Sequence, residues 1–144
     1  MSVENNVFMH PDSLPTPEAW ARAIRAVGFQ LDIDTEFDWE TFEGFLPAKY
    51  KGLDAGFELY KEDFDLSELS DEEQTELGDR PLLVTLITHS DTRQYMSSMI
   101  ASAVLCSISD GRLADSGEPP FIKPEEAVHW AQGCEPDVEK MLDE

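Results

Sequence analysis

From Pro81 to Thr88 the chain reads PLLVTLIT, with Leu82, Leu83, Val84, Leu86 and Ile87 following one another almost without a polar break. Successive side chains of a strand point to opposite faces, so a half-buried strand alternates and a run without alternation must be covered on both sides. The chain is therefore expected to fold in layers around a central strand at 81–88. The best partner for that strand follows it directly. Residues 91–109 form the clearest helix, with Tyr95, Met96, Met99, Ile100, Ala103, Val104 and Ser107 on one face. Ser97, Ser98, Ala101 and Ser102 are small enough to let it pack closely on a sheet.

Other elements follow from periodicity and punctuation. Thr16 caps a helix over 17–27, Pro17 suits its first position, Gly28 ends it, and Trp20, Ala23, Ile24 and Val27 make its buried stripe. Phe29, Leu31 and Ile33 alternate with Gln30, Asp32 and Asp34 as a half-buried strand does. Phe37, Trp39, Phe42, Phe45 and Tyr50, broken by Gly44, Pro47 and Gly52, read as a structured aromatic loop. A second strand is expected over 56–64, with Phe57, Leu59 and Lys61 on one face and Glu58, Tyr60 and Glu62 on the other. Ser70 with Glu73 marks a short exposed helix in the acidic stretch 65–79. A short strand at 112–114 and a helix from 124 to 132, closing at Gly133, complete the series. The order predicts a single α+β domain over 1–144, a small mixed sheet with helices packed on it, with a flexible N-terminus at 1–13 and an acidic tail at 135–144. Trp130 is assigned to the core in preference to a dimer contact, although a homodimer stays open.

Function is bounded first by charge. Ten basic side chains against 31 acidic ones leave a formal charge of -21. Hydrophobic residues still make up 41%, too many for a disordered acidic chain. Direct binding to nucleic acid or anionic lipid is disfavoured, because phosphate contacts need Lys or Arg and the few present are scattered. MSVENNVFMHPDS has neither the positive region nor the apolar run of a secretory signal, and no segment is apolar enough to span a bilayer, so the expected location is the cytoplasm. Cys106 and Cys134 are expected to be free thiols.

The search for chemistry finds no catalytic residue, cofactor cradle or metal site. Asp32, Asp34, Glu36, Glu40 and Glu43 occupy the first, third, fifth, ninth and twelfth positions of a window spaced like an EF-hand loop. The sixth position, where the sharp turn needs Gly, holds Phe37, and a strand precedes the window where a helix should. His10, His89 and His129 form no metal spacing; His89, Ser90 and Asp91 suit the capping turn between strand and helix. No positive charge flanks either cysteine to lower its pKa.

What remains is an interface. Asp32, Asp34, Glu36, Asp38, Glu40 and Glu43 run without a Lys or Arg, and a second unrelieved acidic run covers 62–79. Carboxylates hasten encounter with a basic partner, while aromatic side chains anchor it. The expected partner-binding residues are these six with Trp39 and Tyr50 as anchors, extended by Glu58 and Tyr60. Small, single-domain, acidic and without a catalytic motif, the chain resembles the immunity proteins that bacteria pair with polymorphic or contact-dependent toxins. GFLPAKYKG at 44–52, GFELY at 56–60 and SISDGRLADSGE at 107–118 look like landmarks of a family of small bacterial proteins. The resemblance implies an inhibitor that occludes the active site of a basic toxin. The alternatives are an acidic interaction or adaptor module, including a nucleic-acid mimic, and after these a small enzyme.

Overall fold

The computed structural model describes residues 2–117 and 119–142. Among the described residues six strands and four α-helices follow one another: β1 (Val3–Met9), α1 (Pro17–Ala26), β2 (Leu31–Ile33), β3 (Gly44–Tyr50), β4 (Leu53–Asp63), α2 (Asp71–Leu77), β5 (Leu82–Thr88), α3 (Thr92–Ile108), β6 (Arg112–Ala114) and α4 (Pro124–Leu142). The strands make one sheet in the order β2-β3-β4-β5-β1-β6, so the α+β class and the central place of β5 are as expected.

Every described strand pairing is antiparallel, in place of the mixed sheet expected. The apolar run of β5, a pattern typical of parallel sheets, is explained by two unequal covers. Leu82, Val84 and Leu86 face the main core under α3, while Leu83 on the other face joins Phe8, Leu77, Ala114 and Phe121 in a small second cluster. That cluster shields only one end of the outer face. Thr85 and Ile87, further along, are only half-buried.

The structure departs from expectation at three further places. Residues 3–9, expected within a flexible N-terminus, form the inner strand β1 between β5 and β6, and Val7 and Met9 are fully buried. Part of the expected aromatic loop is β3, joined to β4 by a tight turn in which Lys51 and Gly52 both have positive φ (50° and 80°), the geometry that matches strand twist in a two-residue hairpin. Helix α4 runs through Gly133 and Pro136 into the expected tail, because Ala127, Ala131 and Val138 carry one buried stripe past both breakers. Met1, Asp143 and Glu144, the ends of those expected segments, lie outside the described residues, as does Glu118 of the 107–118 segment.

Pro47 is tolerated inside β3 because its carbonyl accepts the Asp34 N–H at 3.0 Å, so its missing donor would face the end of β2 and no β3–β4 bond is lost. Its cross-strand neighbour is Gly56, two positions beyond the last β4–β5 pair, Glu58 with Ile87. There β5 no longer supplies partners, and Ser97 of α3 does. The Ser97 hydroxyl accepts the Gly56 N–H at 3.2 Å and lies 3.0 Å from its carbonyl oxygen and 2.8 Å from that of Gln94, sharing its one proton between the two. Gly56 has φ +130°, and a Cβ there would meet the Leu46 carbonyl oxygen at 2.5 Å and the Phe45 ring at 2.6 Å. Phe45 covers the glycine as an aromatic covers a bare stretch of backbone.

A second helix serine works with β1. Asn5 is wholly buried, donates to Ser98 Oγ at 3.1 Å and accepts the Ser116 N–H at 3.1 Å, tying sheet, helix and the turn after β6 together. Ser102, in contrast, bonds among the described residues only to Met99 of its own helix. Ser97→Ala should therefore lower the unfolding free energy by about 1–3 kcal/mol, the cost of stranding a buried backbone group. Ser102→Ala should change it by much less; equal losses in denaturant titrations would contradict the role given to Ser97.

Candidate functional site

The residues between β2 and β3 decide what the acidic surface presents. Asp34 Oδ1 accepts the Glu36 N–H at 2.9 Å and Asp38 Oδ1 accepts the Glu40 N–H at 2.9 Å, two local turns that fold the segment back on itself. Its aromatics turn inward. Trp39 stacks on the fully buried Trp20 of α1 with centroids 5.6 Å apart, Phe37 meets Trp39 at 5.1 Å, and Phe42 meets Phe37 at 5.1 Å. Trp39 Nε1 donates to the Pro15 carbonyl at 2.8 Å, and Trp20 Nε1 to the Ala101 carbonyl of α3 at 3.0 Å. The aromatic wedge pins the loop to the core, leaving its carboxylates outside.

Asp32, Asp34, Glu36, Asp38, Glu40 and Glu43 are all exposed. Among the described residues only Asp32 of the six is in an ion pair, 3.5 Å from Arg25 Nε. They do not converge as EF-hand ligands would: no described group of three or more His, Cys, Asp or Glu side chains could hold a metal ion. Asp34 and Asp38 spend a carboxylate oxygen on the backbone instead.

The two expected aromatic anchors need correction. Trp39 is half-buried in the wedge, held by stacking and by its indole hydrogen bond. Tyr50 is only 2% exposed, on the inner face of β3, and its hydroxyl lies between two carboxylates of α4, 2.8 Å from Glu135 and 2.7 Å from Glu139. Tyr50 is thus a clasp for α4 and offers nothing to a partner in this conformation. Sequence spacing could not show this, because the carboxylates that claim it are 85 and 89 residues away. Burial, reinforced by Glu139 and Glu135, pushes the Tyr50 hydroxyl far above the ordinary tyrosine range. Lys51 and then Tyr50 hold Glu139 below the usual carboxylate range.

Glu58 and Tyr60 come together as expected, on the outer face of β4. Tyr60 donates to Glu58 Oε1 at 2.7 Å, and His89 Nε2 lies 2.5 Å from Glu58 Oε2. Those two hydrogen bonds lower the Glu58 pKa; the Glu58 bond raises that of Tyr60, with a smaller contribution from the nearby Glu43. Asp91, rather than His89, caps α3, accepting the Gln94 N–H at 3.0 Å. The residue missed by sequence reasoning is Phe45. Assigned to an aromatic loop, it stands on the outer sheet face and is 47% exposed.

Neither thiol is poised for chemistry. Burial pushes Cys106 up to about 12, and burial with nearby Asp115 raises Cys134. No described helix is long and apolar enough to cross a membrane. No protein-family model, curated protein or solved structure matches the chain.

A pH dependence follows from the Tyr50 clasp. Its raised pKa means that the neutral hydroxyl stabilises the fold fully below the ordinary tyrosine pKa of about 10 and that this contribution is lost as pH rises through the folded value. Tyr50→Phe should cost about 1 kcal/mol near neutral pH and flatten the alkaline decline in stability. Stability curves of wild type and variant that stay parallel above neutrality would refute the clasp.

Proposed function

We propose that this chain is a neutralising binder of a basic protein, of the kind bacteria pair with toxins, acting in the bacterial cytoplasm and covering the partner's active site. The observation that carries the reading is the segment 32–43: six exposed carboxylates, with only Asp32 ion-paired among the described residues, on a loop whose own aromatics pin it to Trp20. Such a surface is preorganised, so a cationic partner meets charge already in place instead of ordering a flexible tail. Toxins that act on nucleic acid or phosphorylated nucleotides need basic clefts, and fixed carboxylates compete for the same cations. The -21 charge costs folding stability through self-repulsion, and rapid capture of a cationic partner is a return for that cost. Binding of this kind requires no catalytic step, cofactor or metal.

The partner is to be identified by tagged capture from the native cells at low and high salt, with mass spectrometry of what is retained. One stoichiometric basic protein, weakened by salt, is the expected result, and co-expression should then suppress its toxicity. A retained DNA-binding protein without toxicity would favour the nucleic-acid mimic. With the partner in hand, changing Asp34, Asp38 and Glu40 together to Lys should slow association by about tenfold or more at low salt, since rim charges act mainly on the on-rate. Unchanged association kinetics would remove this loop from the interface.

A further inference from the structure

The open half of the sheet's outer face is a second acidic surface, and its register gives it a pattern. Phe45 of β3 pairs with Glu58 of β4, Glu58 with Ile87 of β5, and Ile87 with Glu4 of β1, so the four residues form one row across four strands. Adjacent strands lie about 4.8 Å apart, which makes the row about 14 Å long with apolar and acidic side chains taking turns along it. Tyr60 stands two residues from Glu58 on the same face and is hydrogen-bonded to it. The second hydrophobic cluster covers the other end of this face, over Phe8 and Leu83, and stops short of the row.

Glu4, Asp32, Asp54 and Glu58 project from this half of the face. Lys49 pairs with Asp54, Arg25 with Asp32, and His89 lies against Glu58, while Arg93 donates to the Asp54 carbonyl at 3.4 Å; Glu4 has no ion pair among the described residues and is the uncompensated charge of the row. Resting on the neutralising-binder reading, we infer that this open face is where the partner docks, and that the docking element is a cationic protein surface bearing arginine. The choice of arginine is chemical. A planar guanidinium stacks on an exposed ring such as Phe45 while bonding a carboxylate beside it, and Glu58, the immediate cross-strand neighbour of Phe45, keeps a second lone pair on each oxygen beyond its contacts with Tyr60 and His89. Ile87 gives the partner an apolar contact next to it. A second copy of this chain is disfavoured as the occupant, because it would bring another -21 charge against the same face. The loop carboxylates of 32–43, adjoining through Asp32 and Glu43, then serve to guide approach, and the sheet face holds what arrives.

The test is an amide NMR titration of the full chain with a short poly-arginine peptide and, separately, a poly-lysine peptide of equal length. Shifts should concentrate at residues 4, 45, 58, 60 and 87, fade with added salt, and be larger at Phe45 for arginine. Shifts centred on α2, or spread evenly over the acidic surface, would overturn the proposal, and equal effects of the two peptides would overturn the choice of arginine. Glu4→Lys with Glu43→Lys, both at exposed positions, should weaken peptide binding by about tenfold or more. Asp71→Lys with Glu72→Lys on α2 makes the same change in net charge and should alter it less than about twofold. Equal losses would mean that the overall field, and not this face, does the binding. The two proposals fail separately. A mapped face with no basic partner captured from cells would remove the neutraliser and keep the surface; a captured partner indifferent to Glu4→Lys with Glu43→Lys would do the reverse.

Discussion

Helix α3 is the constraint on which the rest of the structure depends. Every residue from Met96 to Cys106 is buried, so the helix has no solvent face over that length. A helix enclosed all round must be covered on every side. The sheet lies on one side and α1 and α4 on another, and the small residues Ser97, Ser98, Ala101, Ser102 and Ala103 let these neighbours approach. Serines in such a place carry a cost, since a buried hydroxyl needs partners. Ser97 and Ser98 find theirs in the sheet, at Gly56 and Asn5, and in doing so they set how the helix is positioned along the strands.

The same enclosure organises the acidic surface. With α3 at the centre, Trp20 is drawn in to hydrogen-bond its backbone, Trp39 stacks on Trp20, and the loop that carries six carboxylates is fastened from inside. All three helices that enclose the core lie on one face of the sheet, and the small second cluster covers only part of the other. An open, acid-rich sheet face with a half-exposed phenylalanine is what this one-sided packing leaves behind. Part of the negative charge is therefore arranged as two adjoining surfaces, a loop and a sheet face, beside one core.

Where local signals and burial agreed, the sequence was legible. Thr16 with Pro17, Ser70 with Glu73 and the unbroken run of β5 placed their elements correctly, because caps and hydrophobic periodicity act within a few residues. Pro47 hid β3, since a proline normally argues against an inner strand, and only the register shows that its missing donor costs nothing. Gly133 and Pro136 hid the second half of α4 in the same way, outweighed by a buried stripe that continues beyond them. In residues 3–9 the core face is interrupted by Asn5, which looks like a surface residue until Ser98 is placed beside it.

The sequence by itself determined the α+β class, the central strand, the long helix behind it and the excess of negative charge, each of which follows from residue type and local spacing. The tertiary structure alone decided which aromatics are left exposed. Tyr50 and Trp39 are drawn inward by groups far away in the chain, and Phe45 is left outside by a glycine that it covers. Exposure of a side chain depends on what packs against it across the sheet, and that is a property of the assembled layers.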